Sequence, residues 1–393
     1  MSLQDLPPEL FKLIADPLRT CDYLSLCLTS KRLLYLTRPL LYKTARLNLS
    51  KWTWDESESS VPGTPRYRDQ IIRDRFFRTL SKNRQFAEFI TSLEIISDPQ
   101  KLKDTPRLTS IIHLLRASVH LLHISLERHE DGHESLPLEL LDAIPTTLVS
   151  LKIVDRPLEV KELAYLFSRL RLLTQLDFSR ADFSRMEADL TYDVALPQSF
   201  RTLDLTIVDY SFPPFFASLI ANSPNLKEYK GAFYSTRFLV LLDLSRLTTL
   251  ILISMTGTVD RESLSDSARP KSMEEVTFKL RQLVEKAPNL RRLKVYLGYY
   301  YGCFDNSLPA VSILHYLPPT LKELALVGYA SDTLFFTTLD LLRYLASPLR
   351  SPNVLSLQLH AYHERDRVVE LCEDRRIILG FVFGNEGWKH WKL

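Results

Sequence analysis

Residues 288–296 read Pro-Asn-Leu-Arg-Arg-Leu-Lys-Val-Tyr, and this short stretch decides the fold. The proline ends a preceding helix. Leu290, Leu293 and Val295 then follow in the order apolar-x-x-apolar-x-apolar, whose alternating end fits a short strand with one face in a core. The same frame recurs at Ile90-Leu93-Ile95, Leu121-Ile124-Leu126, Leu148-Leu151-Ile153, Leu173-Leu176-Phe178, Phe200-Leu203-Leu205, Leu247-Leu250-Leu252, Leu321-Leu324-Leu326 and Val354-Leu357-Leu359. A further copy, Leu226-Tyr229-Gly231, ends on glycine. Successive copies begin 21 to 43 residues apart. Leucine is common here, so single matches are cheap; the regular recurrence is what argues for a repeat architecture.

Between these strands lie segments with helical spacing at 108–117, 162–170, 215–221, 273–287 and 334–346. A strand, a crossover helix and a parallel strand form one right-handed unit that cannot bury its apolar face alone, so neighbours stack. The prediction is an arc with a parallel sheet on its inner side and helices outside. The starts Pro224-Asn225-Leu226, Pro288-Asn289-Leu290, Pro319-Thr320-Leu321 and Pro352-Asn353-Val354 suit this, because each proline stops a helix where the next strand begins. The widest interval holds the polar stretch 256–271, read as an insertion. With these copies in view, residues 86–360 resemble the leucine-rich repeat family, whose repeats run 20–29 residues. The usual Asn or Cys beyond each strand is replaced by Arg156, Ala181, Val208, Gly298 and Tyr329, which implies irregular curvature. The fold class expected is α/β: a leucine-rich-repeat solenoid with a parallel inner sheet and outer helices, preceded by a small all-α module.

Composition narrows the function. The 393 residues exceed what one compact core usually organises. Fifty Lys and Arg against 47 Asp and Glu give +3, too even a balance to indicate nucleic acid or an anionic membrane as partner. Hydrophobic residues at 45% exclude a mostly disordered chain. Only 10 glycines leave little material for phosphate-cradling loops. Cys21, Cys27, Cys303 and Cys372 form no CxxC pair and point to a reducing, intracellular compartment. The N-terminus carries Asp5 and Glu9 and does not read as a signal peptide. The greasy stretch 238–255 is interrupted by Asp243 and Arg246, so it is no membrane span. The sequon Asn48-Leu49-Ser50 carries no weight without a secretion signal.

Residues 1–49 are expected to form a helical module, 50–67 a polar linker containing Gly63, and 68–393 the repeat body with a C-terminal cap. Leu6-Pro7-Pro8-Glu9-Leu10, Ile14, Leu18, Asp22, Leu24, Leu26, Leu28, Ser30-Lys31, Leu36 and Pro39-Leu40-Leu41-Tyr42 follow at spacings that resemble the F-box. The resemblance implies a trio of helices docked on the Skp-family adaptor of a cullin–RING ubiquitin ligase, with Leu6, Pro7, Leu10, Ile14, Leu18 and Leu24 at the contact. The compact Pro39-Leu40-Leu41-Tyr42 ending resembles the fungal type of F-box substrate receptor. Physics supports docking independently: so short and apolar a module buries too little of its own surface to stand comfortably alone. Leu33-Leu34-Tyr35-Leu36 would surround a helix turn with apolar groups, as in an element covered on several sides. The alternative is that these leucines cap the first repeat.

Catalytic motifs are sparse. His129-Glu130-Asp131-Gly132-His133 matches HExxH, whose histidines bind zinc from one helical face. It follows a strand directly, and Gly132 costs about 1 kcal/mol within a helix, so a polar loop is expected. Cys303 has no recognisable histidine partner and reads as a plain thiol. The run 66–84 holds Arg66, Arg68, Arg73, Arg75 and Arg78 beside Tyr67, Phe76 and Phe77. Asp69 and Asp74 dilute it, and Ile71, Ile72, Phe76 and Leu80 give it one packed side, as expected of a connecting helix. No cofactor or metal is expected.

A target would meet the inner face. The fourth and sixth positions of each copy point into the core, so the third and fifth point away. Fifth positions are Glu94, Ser125, Lys152, Asp177, Asp204, Lys230, Ile251, Lys294, Ala325 and Gln358. Along the arc this face is expected to pass from Asp177, Asp204 and Glu228 to Arg292, Lys294 and Tyr296, with a hot spot at the last three and Tyr299, Tyr300 and Tyr301. The expectation is a non-enzymatic substrate receptor binding an unknown target protein; the rival is a leucine-rich-repeat scaffold unconnected to ubiquitination.

Overall fold

The computed structural model describes residues 3–18, 20–48, 79–80, 82–97, 105–128, 137–154, 160–178, 196–205, 220–221, 223–232, 239, 243–253, 273–296, 312–327, 338–347, 352–357 and 362–381. The chain divides into two compact units, Met1–Asp177 forming the body of the first and Glu187–Leu393 that of the second. Among the described residues the architecture is α/β, with twelve parallel strands taken in chain order and helices between them.

The first unit opens with three helices, α1 (Pro8–Ala15), α2 (Thr20–Thr29) and α3 (Lys31–Tyr42). Five strands follow: β1 (Thr44–Asn48), β2 (Ser92–Ser97), β3 (His123–Arg128), β4 (Ser150–Val154) and β5 (Gln175–Asp177). Between them lie α4 (Arg84–Glu88), α5 (Thr105–Ala117), α6 (Leu138–Ala143) and α7 (Val160–Arg169). The second unit holds β6 (Thr202–Leu205), β7 (Glu228–Ala232), β8 (Thr249–Ile253), β9 (Arg292–Tyr296), β10 (Glu323–Val327), β11 (Val354–Leu357) and β12 (Ile378–Phe381). Among the described residues it also holds α8 (Met273–Lys286), α9 (Thr338–Ala346) and α10 (Tyr362–Asp374).

The repeat template is visible in the burial. First-position Ile90, Leu121, Leu148, Leu173, Phe200, Leu247 and Leu290 are buried, and so are the fourth-position residues beneath them. Helices meet this layer with residues one turn apart, such as Leu163, Leu166 and Phe167 on α7 and Leu280, Leu283 and Val284 on α8. Each fully buried Leu or Phe contributes about 1.5–3 kcal/mol, so the core is spread evenly along the repeats.

Three details differ from the sequence reading. Thr44–Asn48, inside the segment assigned to the helical module, is a strand paired with β2, and its copy is Tyr42-Ala45-Leu47. The small Ala45 hides it from a search for large apolar residues. At β11, Leu355 pairs with Leu324 and Leu357 with Leu326, so the copy is Pro352-Leu355-Leu357, two residues earlier than expected. Buried Pro352 takes the first position itself. Beyond it β12 adds a copy, preceded by a Schellman turn: Ile377 N–H donates to Cys372 O at 2.8 Å, Arg376 N–H to Glu373 O at 3.0 Å, and Arg376 is left-handed with φ 57°. The stretches 50–67 and 256–271 lie outside the described residues.

Two ladders join the copies at the N-terminal edge of the strands. In the first, one carbonyl accepts two consecutive N–H groups from the next copy, using both lone pairs. Thr91 and Ser92 donate to Lys43 O in the first unit, and Arg291 and Arg292 to Thr248 O in the second, with the same step repeated within each unit. The second is built of side chains in the second unit. Asn225 donates to Gln198 O at 2.7 Å, Arg246 to Pro224 O at 2.6 Å, Asn289 to Ser245 O at 2.7 Å and Thr320 to Pro288 O at 3.0 Å. All four donors stand one residue before their copy's first position. This ladder satisfies turn carbonyls on the side of the strands opposite to the missing Asn or Cys.

The glycine of Leu226-Tyr229-Gly231 also has a cause. Tyr229 is fully buried, and a Cβ on Gly231 would sit 2.6 Å from its Cζ. The ring of position four therefore fills the space of position six.

Candidate functional site

Helix α1 starts with Pro8, whose missing N–H costs nothing in the first turn. Pro17 follows its end, where the helix cannot continue. Tyr23 hydroxyl donates to Ala15 O at 2.9 Å, satisfying one of the last carbonyls. Phe11 and Ala15 face inward with Leu33, and Leu6, Tyr23, Leu26, Leu36 and Leu40 pack around them. Ser30 caps α3 by accepting from Leu33 N–H at 3.1 Å. Buried Thr37 donates to Leu33 O at 2.6 Å and lies 2.9 Å from Cys27 Sγ. Its proton being spent on Leu33, the hydroxyl accepts from the thiol.

This small core uses only one side of α1 and α2. Leu10, Leu13 and Ile14 project from the other side of α1 and are 49%, 73% and 52% exposed. Leu24 and Leu28, one turn apart on α2, are exposed as well, and so is Leu18. Of the residues expected at an adaptor contact, Leu10, Ile14, Leu18, Leu24 and Pro7 are open to solvent, whereas Leu6 is partly spent on the internal cluster. Leu13 and Leu28, not among the residues expected at that contact, extend the same exposed faces from Leu10 and Leu24. Tyr35 is exposed, so α3 is not covered on every side. Tyr42 stacks on Phe86 of α4 with centroids 4.7 Å apart, and Arg38 lies over the same ring. α3 therefore packs against the first repeat.

The polar face of the strands carries the other predicted residues. In the first unit Lys152 pairs with Asp177 at 3.4 Å and Arg46 with Glu94 at 3.1 Å. In the second, Lys230 pairs with Asp204 at 2.8 Å, Lys294 with Glu323 at 2.6 Å, and Arg292 with the same carboxylate. Cations and anions thus stand on neighbouring strands, and the expected passage from acidic to basic is replaced by lateral pairs. Glu228 is exposed. Tyr296 is the clearest correction: it is 6% exposed and clusters with Ile253, Ala325 and Ile251. Burial, with the Glu323 carboxylate second, pushes its phenol up to about 12. It offers no ring to a partner here, because position seven is flanked by apolar residues on β8.

Burial alone would push the Glu323 carboxyl up, but the Lys294 and Arg292 contacts outweigh it and hold it below its ordinary 4.5. A carboxyl lowered in the folded state contributes stability above its unfolded pKa and loses it as pH falls through the folded value. Glu323→Gln therefore lowers the urea midpoint at neutral pH, and the difference from the wild type shrinks as the solution is acidified below pH 4.5. A difference that persists unchanged into acid would contradict the pairing.

His129 and His133, the run 66–78, Cys303 and Tyr299, Tyr300 and Tyr301 lie outside the described residues. Among those described, no three His, Cys, Asp or Glu side chains gather where they would hold a metal ion, and no helix is long and apolar enough to cross a membrane. No family model matches the chain, and no curated protein matches it.

Proposed function

We propose that the chain is a non-catalytic, intracellular substrate receptor. Its three-helix head is an F-box-like module docking on a Skp-family adaptor of a cullin–RING ubiquitin ligase, and its leucine-rich-repeat-like body holds the target protein. One observation carries this reading: α1 is apolar on both sides, one spent on the head's own core and one left in water at Leu10, Leu13 and Ile14. A helix so built is costly in isolation and suits an element covered from two directions. The order of Leu6-Pro7-Pro8-Glu9-Leu10 and Pro39-Leu40-Leu41-Tyr42 supports the choice of partner by resemblance. Asp177, Asp204, Glu228, Arg292 and Lys294 are the target-facing residues of this reading. The packing of Tyr42 on Phe86 favours the rival, in which the head only caps the repeats of a scaffold.

Affinity capture of the full chain from cells with the proteasome inhibited separates the two. The receptor reading expects the adaptor and cullin–RING subunits in near-equal amounts with the chain. A capture free of them would leave the scaffold reading.

A further inference from the structure

We infer that the N-terminal edge of the strands in the second unit is a groove for an acidic polypeptide segment, held by Lys227 and Arg291 and extended by Arg201 and Lys322. The groove has a volume of about 320 Å³. One wall is the side-chain ladder of Asn225, Arg246, Asn289 and Thr320; the other is the second-position row of Lys227, Thr248 and Arg291.

The fold sets that row. Lys227 N–H donates to Arg201 O, Thr248 to Lys227 O, Arg291 to Thr248 O and Lys322 to Arg291 O, all at 2.7–2.8 Å. Five second-position residues therefore stand on successive rungs about 4.8 Å apart, and four of them are exposed cations. Unit charges repel by roughly 0.4 kcal/mol at 10 Å in water, so folding gains nothing from this array. Of the polar-face cations, Lys230 has the Asp204 carboxylate, and Arg292 and Lys294 share that of Glu323. Among the described residues Arg201, Lys227, Arg291 and Lys322 have none within ion-pair distance. Asp243 is engaged by Ser245 N–H at 2.9 Å, and exposed Glu228 forms no ion pair among the described residues. The first unit provides an internal control: the same row there reads Lys43, Thr91, Leu122, Val149 and Thr174, and its one cation, Lys43, pairs with Asp16 at 3.2 Å, so the backbone ladder needs no run of unpaired cations.

The lining holds guanidinium, ammonium, amide and hydroxyl groups and neither acid nor aromatic ring. Arginine binds carboxylate through two parallel hydrogen bonds. The four steps from Arg201 to Lys322 span roughly 19 Å, about six residues of extended chain. Single-stranded nucleic acid is usually held on stacked aromatic side chains, and the groove has none. The occupant that fits is an extended Asp- or Glu-rich segment of a client, which rests on the reading of the body as the client-binding part.

The test is fluorescence anisotropy of a labelled deca-glutamate peptide with the full chain at low salt, beside a deca-lysine and a deca-uridylate probe. Deca-glutamate is expected to bind saturably, to weaken at higher salt, and to lose at least tenfold in affinity with Lys227→Ala plus Arg291→Ala. Arg201→Ala plus Lys322→Ala, at the groove's ends, is expected to cost less, and neither pair should move the urea midpoint. Absence of deca-glutamate binding, binding indifferent to both pairs, or tighter binding of deca-uridylate lost in the same variants would overturn the inference. Adaptor capture is measured on the same proteins: its loss with the groove intact sinks only the receptor reading, and the reverse sinks only the groove.

Discussion

Gly231→Leu is expected to destabilise the second unit by about 3 kcal/mol, near the upper end for overpacked cores, and Tyr229→Leu in the same chain is expected to restore most of the loss. A Cβ at position 231 already meets the Tyr229 ring at 2.6 Å, and the ring has nowhere to go while fully buried. Tyr229→Leu alone leaves unfilled the space that the ring took above the glycine, at a cost of about 2–4 kcal/mol. The double variant puts leucine at positions four and six, the arrangement of neighbouring Leu250 and Leu252, both buried. Residues that share one space couple by up to about 3 kcal/mol. Urea unfolding of the four proteins measures that coupling. Two single losses that simply add in the double variant would show that Tyr229 does not occupy the sixth-position space.

That pair also shows what the sequence made legible. Regular recurrence of apolar-x-x-apolar-x-apolar located ten copies because large aliphatic side chains mark buried positions wherever the local strand needs them. It passed over β1, whose fourth position is Ala45, and β12, whose first position is the left-handed Arg376. Pro352 shifted the frame of one copy, since a ring that ends a helix also fills an apolar site. Alternation correctly placed Asp177, Asp204, Arg292 and Lys294 on the polar face. It did not foresee that Lys152, Lys230 and Glu323 on adjacent strands would neutralise them, because lateral pairing depends on register between distant segments. Tyr296 was misjudged for the same reason: its neighbours Ile253 and Ala325 come from other copies. The cations of the groove were readable as the residue after each copy's first apolar position, a row that gains meaning only once the strands are stacked.

The second large effect is at the head. Leu10 and Ile14 are about half exposed in the free chain, so changing them alters stability little. In a docked complex both would be covered, each contributing on the order of 1 kcal/mol from the half still in water. A carboxylate in either place would then be buried without a partner, at several kcal/mol more. Leu10→Asp plus Ile14→Asp should therefore weaken adaptor binding about a thousandfold, some 4 kcal/mol, whereas Phe11→Ala should instead unfold the head, because Phe11 is its internal anchor.

Calorimetric titration of a purified Skp-family adaptor into the full chain and into the Leu10→Asp, Ile14→Asp variant decides the matter. The receptor reading expects a one-to-one complex for the wild type and no measurable heat for the variant at an unchanged melting temperature. Equal affinity for the two proteins, or no binding by the wild type, would contradict it.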